Sequence, residues 1–290
     1  MNAVINEHLR IIHQVQDYIE RNLSKQLTID ELANVAHLSP FYFHRLFSYV
    51  TMETLHGYIK RNRLEKAAFY LQADPSKSIS DIALDVGFAN QSSFAKAFKL
   101  EYGVSASTFR TGQPSIEAYR RQVSQASGMI APVFIQIEEQ PQKHLAYVRH
   151  TGAYKGNAEL FRTLFAKLEH WIRKHNINID NAHTYCLYHD QSDQTIDDKL
   201  RLSVCIAVQS HLKPSGEINM LTLDAGKFAA GRFIVSSQDY QGAWNYMLFK
   251  WLPESGYIFD DRLPFERYTR DVVAPAHDKL VVDICIPLKK

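Results

Sequence analysis

Apolar positions in the first third of the chain recur at helical spacing, and the arrangement occurs twice. The segment TIDELANVAHLSPFYFHRLF (28–47) matches SISDIALDVGFANQSSFAKAF (78–98) in its apolar register, with one extra residue in the second copy before its second helix. The matched pairs are Ile29 and Ile79, Leu32 and Ile82, Ala33 and Ala83, Phe43 and Phe94, Phe47 and Phe98, and Tyr58 and Phe109. A shared register with one insertion at a turn indicates a duplicated pair of helices.

Each copy also carries the signals that begin and separate two helices. Thr28 and Ser78 stand at expected N-cap positions, and an acid follows each of them three positions later, as in a capping box. His37 and Gly87 occupy the turn, where we expect a left-handed residue. Ser-Pro in the first copy and Asn-Gln in the second then begin a further helix. The pattern predicts two helix-turn-helix motifs, joined by a long helix over 55–71.

The second half of the chain changes to strands, and its pattern is also duplicated. A polar stretch rich in Gly, Pro and Ser indicates a linker over 113–131, between domains at 1–112 and 132–290. Beyond it the order strand, helix, strand, strand occurs twice, and the last two strands of each copy align eighty positions apart. The predicted segments are HLAYVRH, NAELFRTLFAKLEHWIRKH, TYCLYHD and LRLSVCIAV, then KFAAGRFIV, GAWNYMLFKWLPESG, PFERYTRD and KLVVDICIPL. We therefore predict a multidomain chain: an all-α N-terminal domain with two helix-turn-helix motifs, and an α+β C-terminal domain of two pseudo-symmetric βαββ modules.

One difference between the two βαββ copies suggests chemistry. Glu266 stands where the first copy has Cys186, and each shares a strand face with a tyrosine two residues further on. An acid among aromatic rings suits a cation, through its charge and through the ring faces. The alternative is an exposed glutamate that pairs with Arg267 or Arg270.

Composition and charge limit the function classes without choosing one. The 290 residues have 46% hydrophobic and 22% charged side chains, a net charge of +2 and a pI of about 8.3, so bulk charge neither requires nor excludes DNA. Apolar runs stay short of a membrane span, and the N-terminus lacks a signal-peptide pattern. Three cysteines without a CxxC pair favour a reducing cytoplasm. We find no P-loop, no metal-ligand cluster and no nucleophile elbow, and we expect no cofactor, no metal and no catalytic residue.

Residues 5–110 resemble the DNA-binding domain of the AraC/XylS family of bacterial transcription regulators. The resemblance is most specific in DIALDVGFANQSSFAKAFKLEYGVSASTFR, which follows the family signature A-x-x-x-G-F-x-x-x-S-x-F, then F-K, G-x-S and an aromatic residue before Arg. Ala106 stands where the family usually has proline, and Met52 where its first copy usually has glycine. These two departures put local turn geometry in doubt, and they lie away from the expected DNA face.

The resemblance implies that the second helix of each pair contacts bases in the major groove. On the faces opposite the matched phenylalanines the chain carries Phe41, His44 and Arg45, then Gln91, Ser92, Ala95 and Lys96. Arg and Lys suit guanine, Gln suits adenine and the Ala methyl suits thymine. Ser39 and Asn90 are expected at phosphates. Two such helices would enter groove segments about 34 Å apart, which lets a monomer bind an asymmetric site.

Residues 132–290 resemble the GyrI-like effector-binding domain, on LPESGY, on D-x-R-x-PFE-x-Y and on the closing D-I-x-I-P-L. The resemblance implies that Glu266 lies in an aromatic pocket for lipophilic, often cationic, ligands, with Tyr154, Tyr188, Trp244 and Tyr268 as the expected lining. The order of the two domains resembles right-origin-binding-protein-like regulators.

Together the two resemblances imply a sequence-specific transcription regulator, an activator, whose C-terminal domain binds a small amphipathic effector. Its expected partners are double-stranded DNA and the effector, with RNA polymerase as a further candidate and no membrane. Either a monomer or a homodimer suits this function, and the expected location is the nucleoid in the cytoplasm. Two alternatives stay open: a GyrI-like hydrolase of small molecules fused to a DNA-binding domain, with Glu266 as general base, and a protein-binding module.

Overall fold

The structure is a computed structural model, and it describes residues 2–74, 76–112, 128–177, 183–190, 195–210, 212–236, 239–260, 262–268 and 279–289. The chain divides into two compact units, the first helical and the second built on a β-sheet. Most of the predicted linker, residues 113–127, lies outside the described residues, as does Arg270. Among the described helices none is both long and apolar enough to cross a bilayer.

The first unit contains both predicted helix-turn-helix motifs, α2 with α3 and α5 with α6. Its helices are α1 (Asn2–Arg21), α2 (Ile29–Val35), α3 (Pro40–Thr51), α4 (Leu55–Ala73), α5 (Ile79–Asp85), α6 (Gln91–Tyr102) and α7 (Ala106–Gly112). Helix α4 serves two hydrophobic clusters, because Tyr58 is buried with α1 to α3 whereas Leu64 and Leu71 are buried with α5 to α7. The repeat extends to the ring packing. Tyr58 lies 5.3 Å from Phe47, and its counterpart Phe109 lies 5.3 Å from Phe98 (ring centroids).

The predicted caps form at the start of α2 and α5, although each capping box is only half made. The Thr28 hydroxyl accepts a hydrogen bond from the Glu31 amide at 3.2 Å, and Ser78 accepts from the Asp81 amide at 3.0 Å. The Glu31 carboxylate does not reach back to the cap, because it accepts a hydrogen bond from the Tyr18 hydroxyl at 2.6 Å. Helix α1 thereby contacts α2.

The turn residues take the conformations that the sequence predicts. His37 has φ 54° and Gly87 has φ 92°, both in the left-handed region. Met52 ends α3 at φ 54°, just as its counterpart Gly103 ends α6 at φ 74°. A side chain in this conformation costs about 1–2 kcal/mol, so the departure from glycine leaves the turn geometry intact at some cost in stability.

Ala106, the other departure, occupies the first position of α7. The Ser105 hydroxyl caps this helix by accepting a hydrogen bond from the Thr108 amide at 3.0 Å. A first helical position is where proline is favoured, because its missing N–H would have no helical partner anyway. Alanine fits the same turn.

The second unit contains one eight-stranded sheet in the order β1-β6-β8-β7-β3-β4-β2-β5, and every strand pair is antiparallel. The strands are β1 (Phe134–Gln140), β2 (Lys143–Thr151), β3 (Thr184–Tyr188), β4 (Arg201–Val208), β5 (Asn219–Leu223), β6 (Gly226–Val235), β7 (Phe265–Tyr268) and β8 (Leu280–Pro287). The helices are α8 (Ala158–Lys174), α9 (Tyr240–Asn245) and α10 (Leu252–Ser255), with a π-helical segment Tyr246–Trp251 between α9 and α10 and a 3₁₀ turn at Asp197–Lys199.

The two βαββ modules meet at the middle of the sheet. Strands β2, β4 and β3 belong to the first module and β6, β8 and β7 to the second, in mirrored order about the β3–β7 pair. The sequence did not predict β1 and β5. Strand β1 comes just before the first module in the chain but pairs with β6 of the second module. Strand β5 comes just before the second module but pairs with β2 of the first module. Two exchanged edge strands tie the modules into one sheet.

Both faces of the sheet are buried at its centre. Helix α8 covers the first module through Leu164, Leu168 and Trp171, and α9 with the π segment covers the second through Ala243 and Met247. Gly231 permits this contact, since an added Cβ would lie 2.5 Å from the Met247 sulfur. On the opposite face the aligned residues Cys205 and Cys285 share one cluster, and all three cysteines are buried and free.

Candidate functional sites

The predicted DNA-contacting residues lie exposed on α3 and α6, and the hydrophobic residues of those helices face inward. Phe43, Phe47, Phe94 and Phe98 are buried. Exposed are Phe41, His44, Arg45, Gln91, Ser92, Ala95 and Lys96. The Arg45 guanidinium lies over the Phe41 ring, 5.7 Å from its centroid. Among the described residues neither Arg45 nor Lys96 has an ion-pair partner, so both charges face solvent.

Ser39 and Asn90, which the sequence predicts at phosphates, are N-caps, and this limits the groups they can offer to a phosphate. The Ser39 hydroxyl oxygen accepts a hydrogen bond from the Tyr42 amide at 3.4 Å, and the Asn90 amide oxygen accepts from the Ser93 amide at 2.8 Å. Their oxygens are therefore occupied, and the donors that are left are the Ser39 O–H and the Asn90 NH₂. Donors are what a phosphate oxygen requires.

The two recognition helices differ in chemistry at equivalent positions. Phe41 and Arg45 of α3 correspond to Ser92 and Lys96 of α6, and His44 corresponds to Ala95. The first helix thus presents a flat guanidinium on an aromatic ring, whereas the second presents a flexible ammonium and small side chains.

Glu266 is the centre of the candidate site in the second unit. Its side chain is buried, with 1% exposed, although it carries an ionisable group. Three neutral donors hold its carboxylate: the Trp244 indole N–H at 2.8 Å, the Tyr268 hydroxyl at 2.7 Å and the Tyr188 hydroxyl at 2.9 Å. The Tyr240 hydroxyl oxygen lies a further 3.3 Å from that of Tyr268. The result is a buried carboxylate in a cradle of aromatic donors.

Aromatic rings surround this carboxylate on the helix-covered face of the sheet. Tyr188 lies 5.5 Å from Tyr154 and 5.8 Å from Trp244, and Phe165 of α8 lies 6.4 Å from Tyr268 (ring centroids). Tyr154 follows β2, and Tyr188 and Tyr268 end β3 and β7. All five residues that the sequence singled out, Glu266, Tyr268, Trp244, Tyr154 and Tyr188, thus lie together.

Two lining residues were missed from the sequence, Tyr240 and Phe165. Tyr240 carried a signal, because it aligns with Tyr154 within the matching Tyr-x-Gly segments of the two modules, eighty-six positions apart. Phe165 carried none, because it stands beside Leu164 in a helix whose inward face is apolar throughout. Its place over Tyr268 depends on how α8 crosses the sheet.

Burial sets the ionisation of the whole site. Desolvation raises the pKa of Glu266, and the hydrogen bonds from Trp244, Tyr268 and Tyr188 oppose that rise. Desolvation also raises the pKa of Tyr188 and of Tyr268 well above the usual value, and the nearby charge of Glu266 adds to it. The tyrosines are therefore neutral donors at physiological pH.

No basic side chain among the described residues pairs with Glu266. Arg267, one of the two partners considered from the sequence, points to the other face of the sheet. There its guanidinium pairs with Glu138 at 2.7 Å and with Asp283 at 3.0 Å. A surface ion pair of Glu266 with Arg267 is therefore excluded.

Comparison with known proteins agrees with this division into units. A model of the GyrI-like small molecule binding domain matches residues 134–289, and a model of a helix-turn-helix domain matches residues 32–112. The Transposon Tn10 TetD protein of Escherichia coli is 42% identical over 103 residues, which are 36% of this chain and 74% of TetD. The HTH-type transcriptional activator AarP of Providencia stuartii is 36% identical over 100 residues, 34% of this chain and 73% of AarP. Among solved structures, the EcmrR C-terminal domain matches at 18% identity and a TM-score of 0.41, over 54% of this chain and 98% of that one.

The exposed second helices of the two helix-turn-helix motifs in one unit, and the buried acid among aromatic rings in the other, agree with a helix-turn-helix domain followed by a GyrI-like small molecule binding domain. The chain belongs to the GyrI-like family, and its first unit is a helix-turn-helix domain of the AraC type. Within the described residues no group of three or more His, Cys, Asp or Glu side chains is arranged to hold a metal ion.

Proposed function

We propose that the protein is a ligand-responsive transcription regulator, in which α3 and α6 bind DNA and the Glu266 pocket binds a small amphipathic cation. The observation that carries the proposal is the buried Glu266 carboxylate, which has three neutral donors and no cationic partner among the described residues. A buried charge without a counter-ion is costly, so a bound cation would supply the missing partner. The surrounding rings add cation–π attraction.

The direction of regulation that we propose is activation, in the cytoplasm at the nucleoid. AarP, which shares the helix-turn-helix domain, is named a transcriptional activator. An activator of this kind has RNA polymerase as a further partner, and a single chain with two unequal recognition helices suits an asymmetric operator without requiring a dimer.

Hydrolysis of the bound molecule is the weaker candidate. A general base needs a free lone pair for the attacking water. In Glu266 one carboxylate oxygen accepts hydrogen bonds from Tyr188 and Tyr268 and the other accepts one from Trp244, so only about one of its four lone-pair sites is left for a water. We therefore expect the bound molecule to be recovered unchanged, and mass spectrometry of the ligand after overnight incubation decides between sensor and enzyme.

The effector proposal is tested on the full chain by thermal unfolding followed with tryptophan fluorescence. Trp171, Trp244 and Trp251 are the three tryptophans of the chain, and all belong to the second unit, so the signal reports on that unit alone. A lipophilic cation at 100 times its dissociation constant stabilises the unit by about 2.7 kcal/mol, a readily measured shift in melting temperature. Glu266→Gln is expected to lose this response, and Glu139→Gln, which removes an exposed acid of the same unit, is expected to keep it. Equal shifts from neutral analogues, or an unchanged response in Glu266→Gln, would contradict the proposal.

The DNA proposal is tested with Arg45→Ala. The full chain first selects its preferred sequence from a random duplex pool, and binding of each variant to that sequence is then measured. Loss of a guanidinium that contacts a base weakens the free energy of DNA binding by about 1–3 kcal/mol and relaxes the sequence preference at that base pair. Arg162→Ala removes an exposed guanidinium from the other unit and is the control, expected to bind as the wild type does. An unchanged affinity and footprint for Arg45→Ala would remove this residue from the DNA interface.

A further inference from the structure

The cross-strand neighbour of Glu266 in the pocket is a cysteine. Cys186 of β3 and Glu266 of β7 are direct Cα partners in the antiparallel pair at the centre of the sheet. Both are buried, at 0% and 1% exposure, and both point to the helix-covered face. Directly opposed side chains of this kind lie about 5 Å apart.

The two modules build this pocket almost symmetrically. Tyr188 and Tyr268 are equivalents eighty positions apart, and Tyr154 and Tyr240 are equivalents eighty-six positions apart. Each module thus contributes two tyrosines around the axis between β3 and β7. The symmetry is broken at the centre, where one module supplies a carboxylate and the other a thiol.

The thiol adds no second negative charge beside Glu266. Burial, followed by the charge of Glu266, raises the pKa of Cys186 well above its usual value, so the thiol is neutral at physiological pH. Burial is also the largest cause that raises the pKa of the four tyrosines, which are therefore neutral at physiological pH.

Other acids near the pocket do not add to this charge. Asp190 is neutralised by a buried ion pair with Arg201. Asp197 is exposed, and solvent screens it.

We propose that the thiol of Cys186 makes this pocket selective for effectors with one positive charge. The inference rests on the proposed function of Glu266 as the acid that binds the effector. One ligand charge is matched by Glu266. A second charge on a compact ligand would be buried opposite Cys186 without a counter-ion, and unpaired buried charge is how binding sites reject a competitor.

Two flat ions of the same size and shape separate the effect of ligand charge on affinity from the effect of ligand shape. N-methyl-4-(4-methylphenyl)pyridinium carries one positive charge, and N,N′-dimethyl-4,4′-bipyridinium carries two. Their affinities for the full chain are measured by isothermal titration calorimetry and by tryptophan fluorescence. We expect the monocation to bind at least about tenfold more tightly, equivalent to about 1.4 kcal/mol.

Two variants separate the charge at position 186 from its shape. Cys186→Ser keeps a small neutral group, and we expect the preference for the monocation to persist. Cys186→Asp adds a second carboxylate, and we expect the preference to shift toward the dication by about tenfold or more. Where Cys186→Asp does not fold, wild type and Cys186→Ser still test the inference, because equal affinity or a preference for the dication in either protein would contradict it.

Equal affinity of the wild type for both ions, or loss of the preference in Cys186→Ser, would overturn the role of Cys186 and leave the cation pocket standing. An absence of binding by either ion is a different result. It would overturn the cation pocket itself, and the inference about Cys186 with it.

Discussion

At the scale of single residues, Glu266 combines two opposed influences on one carboxylate. Complete burial favours the protonated form, whereas hydrogen bonds from Trp244, Tyr268 and Tyr188 favour the ionised one. The balance leaves the pKa of Glu266 raised. A carboxylate poised in this way has a charge that depends on pH and on the presence of a cation.

The raised pKa predicts a pH dependence of stability for the second unit. In the unfolded chain Glu266 has an ordinary pKa of about 4.3. Between that value and the higher folded pKa, the folded state holds more protons than the unfolded state, so the free energy of unfolding falls as pH rises. One such group contributes a slope of at most about 1.4 kcal/mol per pH unit. Urea unfolding by tryptophan fluorescence, at steps from pH 4.5 upward and without ligand, measures it.

Glu266→Gln provides the comparison, since an amide does not titrate. We expect the difference in stability between wild type and variant to shrink or reverse along the same pH series. Asp283 titrates in a different window, because Arg232 and Arg267 lower its pKa and its stabilising effect is lost only in acid. Parallel pH profiles for the two proteins would show that the pKa of Glu266 is not raised by folding.

At the scale of elements, the two helix-turn-helix copies share one geometry although their turn residues differ. Gly87 is the more constrained turn residue. It has φ 92°, and an added Cβ would lie 2.2 Å from the Leu23 carbonyl oxygen and 2.8 Å from the Arg63 guanidinium. Arg63 itself donates hydrogen bonds to the carbonyls of Leu23 and Lys25, at 3.0 Å and 2.6 Å. The second turn is therefore packed against the segment that follows α1.

Gly87→Ala is expected to lower the free energy of unfolding by about 2–5 kcal/mol, the sum of the strain of a left-handed alanine and the clash of an overpacked contact. Gly103→Ala is the matched control. It also has a positive φ, but nothing lies within 4 Å of an added Cβ, so it is expected to cost only about 1 kcal/mol. Circular dichroism at 222 nm follows both units during urea unfolding, and the tryptophan signal identifies which part belongs to the second unit. Equal losses for the two variants would show that the close contact at Gly87 relaxes freely.

The elements also show which parts of the fold can be predicted from the sequence. The βαββ modules were predictable, because each is a local run of strand and helix patterns and the second copy repeats the first. Strands β1 and β5 were not, because both edge strands are partly exposed and each pairs with a strand of the other module. Such an exchange leaves no trace in a local pattern.

The candidate site likewise contains residues that the sequence predicted and a residue that it did not predict. Glu266 and four aromatic residues were predictable from the register of the repeat together with a family resemblance. Phe165 was not, because its contact with Tyr268 is set by the packing of a helix on a sheet. The half-made capping box at Thr28 has a similar cause, since Tyr18 comes from another helix and takes the Glu31 carboxylate.

At the scale of the whole molecule, the two kinds of chemistry lie in separate units. The exposed side chains on α3 and α6 belong to the first unit, and every residue around Glu266 belongs to the second. We expect the two sites to act independently without effector, because they share no residue. In the proposed regulator the bound effector must then shift an element whose equilibrium both sites bias.

This independence predicts the behaviour of the two site variants in the full chain. Without effector, Glu266→Gln is expected to bind the selected DNA within about 0.5 kcal/mol of the wild type, and Arg45→Ala is expected to bind the cation equally close to the wild type. With saturating cation, any change in the DNA affinity of the wild type should be absent in Glu266→Gln, and by linkage DNA must change the cation affinity by the same factor. Fluorescence anisotropy of labelled DNA and calorimetric titration of the cation measure the four combinations. A large effect of Glu266→Gln on DNA binding in the absence of effector would mean that the empty pocket already acts on the helical unit, and regulation would then begin from the charge state of Glu266 rather than from the ligand.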